Sequence, residues 1–326
     1  MRRLFLGASV AIVALALVAV PLSYIELNPG PALDVPSQIE FDGPAHPIKG
    51  KLLLTTVTIT QPSALGALEA LVTPHHELLW QTQVIPPGVN EQEYLASQLQ
   101  VFQESAQAAA AVGLRAAGFP VSVSGGGVQV VGVISGSPAD GILKVGDVIT
   151  AIDGRPVQLA ADLQAATEKA VDGQTVTLTV VRGAQQLQIP IQLRRLSETG
   201  RPGLGVALRT IAPKVQLPFP VKVKNQDIGG PSAGLMMSLG IYSLASGDDL
   251  SRGRVVAGSG TIDVNGSVGP VGGVAEKIVG AEQRGARIFL VPTSEAADAR
   301  SAGVKDVKIV PVDTFDQARA ALKAAS

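Results

Sequence analysis

The stretch Asn225-Gln-Asp-Ile-Gly-Gly-Pro-Ser-Ala-Gly-Leu-Met-Met-Ser-Leu-Gly-Ile-Tyr242 sets the frame for the whole chain. Val221–Val223 just before it is short and β-branched and reads as a strand. Two glycines follow, then Pro231, a favoured first residue of a helix. From Leu235 to Leu244 the residues are apolar on nearly every side of a helix, so that helix is expected to be buried. Ser232 falls in its first turn. One reading makes it a cap or an ordinary first-turn residue. The other uses the free amides and dipole of a helix N-terminus, with Gly229 and Gly230 beside it, to stabilise an oxyanion while the hydroxyl projects into a cleft.

Residues 230–234 also spell G-x-S-x-G, the nucleophile elbow of α/β-hydrolases. That arrangement needs a histidine downstream of the serine, and His46, His75 and His76 all lie upstream. A trypsin-like order would have to place an entire module between histidine and serine. A serine nucleophile without histidine needs another base, and a lysine of lowered pKa is the usual substitute. Val271-Gly-Gly-Val-Ala-Glu-Lys-Ile-Val-Gly-Ala-Glu-Gln-Arg-Gly285 supplies one. On a helix Val274, Ile278, Ala281 and Gly285 share a face, Lys277 borders it, and Glu276 and Gln283 point away. Lys277 then either snorkels over that face or leans into it, where desolvation lowers its pKa towards the range of a general base. Thr261–Val268 lies between the two motifs and reads as a hairpin with a type I′ turn at Asn265-Gly266.

Gly229–Gly234 and Gly272–Lys277, in this order and separated by a hairpin, resemble the proteolytic domain of Lon-type proteases over about 120 residues. The resemblance implies a Ser–Lys dyad, with Ser232 as nucleophile and Lys277 as general base. It also implies a supporting hydroxyl at Ser259, where threonine is the more familiar residue. Strand, helix, strand and helix are expected over Ile288–Pro292, Glu295–Ser301, Val307–Pro311 and Thr314–Ala324, an α/β finish. There is no G-x-x-x-x-G-K-[ST] phosphate loop, so no ATP-driven unfolding is expected in this chain and no cofactor is called for.

Upstream, Leu114–Leu196 changes character to short strands with turn signals and one helix, Leu159–Ala170. Ser135-Gly-Ser-Pro-Ala, Gly146-Asp-Val-Ile149 and Ile152-Asp-Gly154 resemble a PDZ domain. Such a domain adds an extended peptide to a sheet edge and holds its carboxylate with loop amides. The resemblance puts that loop at Ala116-Ala-Gly-Phe119, with Gly118, Phe119 and Val121 on the groove. Pro120 departs from the pattern, since it has no amide to donate. Lys51–Ile59 reads as a strand, and Asn90 opens a helix running to about Gly113 with Leu95, Leu99, Phe102, Ala106 and Ala109 on one side. If that strand belongs to the Lon-like domain, the PDZ-like module is an insertion in it. His75 and His76 read as loop residues, and no metal site is expected.

At the start of the chain, Arg2 and Arg3 precede a run without charge until Glu26. Leu4–Ile25 is long enough to span a bilayer, with the arginines cytoplasmic and the remainder outside. The rival is a cleaved signal peptide, for which Val18-Ala-Val-Pro21 is a poor cleavage site. Asn28-Pro-Gly-Pro-Ala32 reads as a linker beyond this anchor. Charge nearly cancels, with 26 Lys+Arg against 27 Asp+Glu, and aromatics are 3%, which disfavours nucleic acid as a partner. No cysteine is present, which excludes disulfides and thiolate chemistry. The expected architecture is an α+β and α/β Lon-type proteolytic domain with an inserted, mainly β PDZ-like domain, plus one N-terminal transmembrane helix. The expected boundaries are an anchor over 1–27, a linker and N-terminal part of the proteolytic domain over 28–113, the PDZ-like domain over 114–196 and the rest of the proteolytic domain over 197–326. The expected partners are a protein or peptide substrate, the cell membrane and, by the resemblance, further copies in a hexamer.

Overall fold

The computed structural model describes residues 23–168, 170–196, 201–224 and 228–325. They form two compact units, one from residues up to Val121 together with Leu217 onward, the other from Ser122–Gln216. The apolar segment expected to span the membrane lies, up to Leu22, outside the described residues. Among the described residues no helix is long and apolar enough to cross a membrane.

The first unit opens with β1 (Tyr24–Asp34), so residues 24–27 belong to a sheet and not to an anchor. Asn28–Ala32, expected as a linker, is the middle of this strand. Its two prolines are accommodated because the register against β2 (Lys51–Thr60) shifts between Pro29 and Ala32. A bulge of this kind removes the need for a ladder donor that proline lacks. Helix α1 (Ala64–Val72) then leads to β3 (Glu77–Trp80), which pairs with the start of β1. His75 and His76 lie in the intervening turn, and His76 Nδ1 meets Glu26 Oε1 at 2.5 Å. Helix α2 (Glu91–Ala116) is capped by Asn90, whose side chain accepts from the Glu93 amide. Its C-terminal half buries Phe102, Ser105 and the run from Ala108 to Leu114, whereas Leu95 and Leu99 are exposed.

The second unit is an antiparallel sheet. Its main strands are β4 (Val128–Val133), β5 (Val148–Ile152), β6 (Thr175–Arg182), β7 (Gln185–Gln192) and β8 (Val206–Thr210), with helix α3 (Ala160–Glu168) between β5 and β6. They lie in the order β7-β6-β5-β4-β8, which leaves β8 as an edge. Ser122–Ser124 pairs antiparallel with Lys214–Gln216, so the chain enters and leaves this unit side by side. Asp147 is buried and takes a two-pronged bond from Arg182, at 2.7 Å from both Nε and Nη2. Its carboxylate also accepts the Lys144 amide, which closes the Lys144–Asp147 turn.

Back in the first unit come α4 (Gly234–Ser246), β9 (Val255–Gly258), α5 (Val274–Gln283), β10 (Ile288–Pro292), α6 (Ala296–Ser301), β11 (Lys308–Val312) and α7 (Phe315–Ala324). The sheet order is β11-β10-β9-β2-β1-β3, parallel from β11 to β2 and antiparallel from β2 to β3. The early strand β2 is thus central and pairs with β9 (Leu53 opposite Ala257). The expected type I′ turn at Asn265-Gly266 is absent. Only Gly266 of the pair has positive φ (89°), and Asp263 Oδ1 accepts the Asn265 and Ser267 amides. A side-chain acceptor at Asp263 favours this wider five-residue loop over a two-residue one.

Candidate active site

Ser232 sits in a turn just ahead of α4. The sequence reading placed it inside the first helical turn. The difference arises because the Gly234 amide donates to Pro231 O (3.2 Å), closing the turn before the helix begins. Three hydrogen bonds clamp this turn. The Gly260 amide donates to Ser232 O at 2.9 Å, and the buried Ser259 hydroxyl donates to the same oxygen at 3.2 Å. From α2, Ser105 Oγ donates to Pro231 O at 3.0 Å. The fit is tight: a Cβ on Gly234 would lie 2.6 Å from Ser105 Oγ. Gly230 adopts φ 80°, a conformation that favours glycine. Its amide donates to Gln98 O of α2 at 3.0 Å, so in this conformation that amide is engaged.

Lys277 lies on α5, which packs against β1 and β2. The approach is so close that a Cβ on Gly280 would lie 2.6 Å from Gly30 O. Gly30 belongs to the bulge of β1, so the Pro-Gly-Pro stretch seats the lysine helix. Lys277 is 3% exposed. Burial pushes its pKa down from 10.5 to about 8, opposed by the negative charges of Glu295 and Glu276. Glu295 also accepts the Val271 amide at 2.9 Å, pinning the loop that leads into the helix. Glu276 is buried as well, not turned to solvent as the helical periodicity suggested. The α5 face beyond Lys277 is covered too, where a Cβ on Gly273 would meet Val57 at 2.6 Å and Glu276 Oε2 at 3.4 Å. Burial raises the Glu276 pKa.

Ser232 and Lys277 are therefore parts of one unit, joined through the Ser259–Gly260 segment and the sheet. No hydrogen bond between the Ser232 hydroxyl and the Lys277 amine forms among the described residues, and the Ser259 hydroxyl bonds the Ser232 carbonyl and not the lysine. Catalytic hydrogen bonds are often long before substrate is bound. No group of three or more metal-ligating side chains occurs among the described residues.

Gly118, Phe119 and Val121, expected on a peptide groove, lie at the end of the first unit's leading segment, ahead of Ser122. The Gly118 and Phe119 amides donate to Arg115 O and Leu114 O, both at 3.0 Å, and so end helix α2. The Phe119 ring packs on Phe219. In this conformation these amides serve as a helix cap. Val121 leads directly into Ser122–Ser124, a strand already paired with Lys214–Gln216. One edge of the sheet is β8 and the other is β7. Helix α3 stands beside β8, tied by a 3.1 Å bond from the Ala160 amide to Thr210 Oγ1. The turn entering β8 contains Leu204 and Gly205, the latter with φ 73°. Their carbonyls accept from Ala139 and Ile134. Their amides donate to no other backbone group among the described residues.

Residues 219–323 match the model of the Lon protease (S16) C-terminal proteolytic domain, and residues 116–193 match the PDZ domain model. The chain joins a Lon-type proteolytic domain to a PDZ domain. Lon protease 2 of Bacillus subtilis is 38% identical over 90 residues, 28% of this chain and 16% of that protein. The Lon protease of Chloroflexus aurantiacus is 35% identical over 95 residues, 27% of this chain and 11% of that protein. The matched part therefore spans only 11–16% of the length of these relatives. The PDZ domain of an SdrC-like protein from Listeria monocytogenes is 32% identical, covering 25% of this chain and 86% of that one, with a TM-score of 0.24.

The Lon-type match begins at residue 219, yet the fold of the proteolytic domain draws on β1, β2 and α2 far upstream. Sequence reading missed Gln98 and Ser105, which brace the serine turn from α2. Ser105 carried a signal, as a polar residue within an otherwise alanine-rich helical face. The PDZ edge strand β8 was missed because it lies beyond the strands expected to form that domain. Its cue was a glycine on either side of Leu204, followed by the alternating Val206–Thr210.

Proposed function

We propose that the chain is an ATP-independent serine endopeptidase with a Ser232–Lys277 dyad, held by an N-terminal anchor with its bulk outside the cytoplasm. The observation that carries this reading is Lys277, a lysine 3% exposed, with its pKa lowered to about 8, in the same unit as a serine held in a glycine-rich turn. The Lon-type match supports serine-type peptide hydrolysis. Neutral Lys277 takes the proton of Ser232 as its oxygen attacks a peptide carbonyl. Amides of the serine turn meet the oxyanion, and Lys277 returns the proton to the leaving amine. Water then resolves the acyl-enzyme by the same route. The Gly230 amide is free to contribute only once its bond to Gln98 is released.

Substrates are unfolded or extended segments, which also suit a PDZ groove. The PDZ domain recruits them by strand addition to β8, with the Leu204 and Gly205 amides at the end of the groove. The resemblance to Lon-type domains also supports a homo-oligomer, a hexameric ring. A second reading, favoured by the engaged Gly230 amide, is a membrane-tethered PDZ adaptor whose proteolytic domain is inert or cuts only its own chain.

The deciding experiment offers a permanently unfolded protein, without nucleotide, to the full chain in detergent, beside Ser232→Ala and Lys277→Ala. Wild type should cut, and each variant should be slower by roughly 10³-fold or more. Cleavage by Ser232→Ala at the wild-type rate removes the dyad. Peptide binding without any cleavage establishes the adaptor, and intact-mass analysis of the enzyme separates self-processing.

A further inference from the structure

Helix α1 is built inside out. Ala67 and Ala70 face the core, at 9% and 2% exposure, whereas Leu65, Leu68, Leu71 and Val72 are 55%, 59%, 72% and 82% exposed. A surface helix normally buries its large apolar residues and exposes its small ones. Glu69 is the only charged residue on the helix. A contiguous apolar stripe of this kind marks a surface that meets something.

Strand register locates the stripe. Thr60, near the end of β2, lies opposite Glu26, and Trp80, at the end of β3, lies opposite Tyr24, the first residue of β1. At about 3.3 Å per residue, these points lie within roughly 10 Å of one end of the sheet. Helix α1 leaves the sheet at that end, four residues after Thr60. Ile59 (50% exposed) and Trp80 (54%) add to the apolar surface, and the Trp80 ring stacks on Tyr24 at 4.3 Å. Directly before Tyr24 runs the charge-free segment Leu4–Leu22, with only Ser23 between. There is no linker, because Asn28–Ala32 is sheet.

We propose that the exposed face of α1, with the Trp80–Tyr24 pair, docks into the outer leaflet of the bilayer and fixes the proteolytic unit against the membrane. This rests on the anchor reading above and deepens it. A spanning segment separated from Tyr24 by Ser23 alone delivers this end of the sheet to the headgroup level. Tryptophan and tyrosine concentrate at that level, and leucine faces of amphipathic helices enter it. The bilayer is favoured over a second copy of the chain because the stripe lies beside the point where the apolar segment joins the unit.

Trp80 is the only tryptophan in the chain, so its emission reports this face alone. The full chain is reconstituted in phosphatidylcholine–phosphatidylglycerol vesicles, with or without lipid brominated in the upper acyl chain. Bromolipid should quench at least half of the Trp80 emission, and aqueous acrylamide should quench little. The Leu68→Glu/Leu71→Glu double variant changes exposed positions only. It should lose the bromolipid quenching and gain acrylamide quenching while still floating with the vesicles. The proposal is overturned if Trp80 in floating wild-type protein is open to acrylamide and untouched by bromolipid. It is equally overturned if both quenchers are excluded and cross-linking traps a dimer through α1, since the occupant is then a second copy. Release by alkaline carbonate with bromolipid quenching intact before the wash removes the anchor reading and leaves the docking face. Failure to float at neutral pH overturns both.

Discussion

The proposed chemistry turns on one titration, that of Lys277. Burial lowers its pKa from 10.5 to about 8, so the base form grows as pH rises through that value. The log of kcat/KM should climb with slope one below pH 8 and flatten above it, measured on an unfolded substrate. Lys277→Arg should be inactive across the range, because arginine does not deprotonate there. The same shift sets a stability profile. Between about pH 8 and 10.5 the unfolded chain holds a proton on this lysine that the folded chain has released. Stability therefore rises with pH across that window, by about 3 kcal/mol at most, and the full penalty applies below it. Lys277→Met should remove this rise and stabilise the proteolytic unit at pH 7, by about 1–3 kcal/mol. Denaturant unfolding at pH 7 and 10 checks both. The candidate nucleophile and base were legible because each sits in a short local motif. The burial of Glu276 was not, because β1 and β2, which cover its helix, are more than 200 residues away in sequence.

Among the elements, the junction of β1 and α5 is the tightest constraint. Gly280→Ala places a Cβ 2.6 Å from a backbone oxygen of Gly30, and neither side can yield without moving the lysine helix or the bulge. A loss of about 1–3 kcal/mol is expected, with activity falling more steeply than the folded fraction. Parallel thermal and kinetic measurements on the variant test that split. In the PDZ unit, Arg182→Ala leaves the buried Asp147 carboxylate without its two-pronged partner. This should destabilise that unit, read as a lower denaturant midpoint. Sequence reading found β2, α2, and the strands and helices after Lys277, whose patterns are strong. It read Asn28–Ala32 as a linker because Pro-Gly-Pro is turn grammar. Only the pairing of β1 with β2 reveals that a bulge absorbs it. It likewise placed the peptide groove at Gly118–Phe119, because the amides that cap α2 there look in sequence like any glycine loop.

In the molecule as a whole, the two units have separate apolar cores, one built on Val128, Ile149, Leu178 and Ile191, the other on Leu53, Ala257, Ile278 and Phe289. Calorimetry of the wild type should resolve two transitions, and Arg182→Ala should move only one of them. A single transition displaced as a whole would show that the units melt together.

The side-by-side entry and exit of the PDZ unit also governs how the chain comes into being. Leu53 must wait for Ala257, 204 residues later, before the centre of its sheet exists. At about 5–20 residues per second, synthesis leaves β2 without that partner for roughly 10–40 s. The inserted unit is complete at Gln216, before Ala257 is made. When Ser122–Ser124 zips to Lys214–Gln216, it takes 95 residues out of the open loop at a stroke. The two halves of the proteolytic sheet then search for each other across about half the tether they would otherwise have, so less chain entropy opposes closure. The inserted unit is thereby a folding clamp for its host, and a defect in its own folding would surface first as misassembly of the sheet on either side.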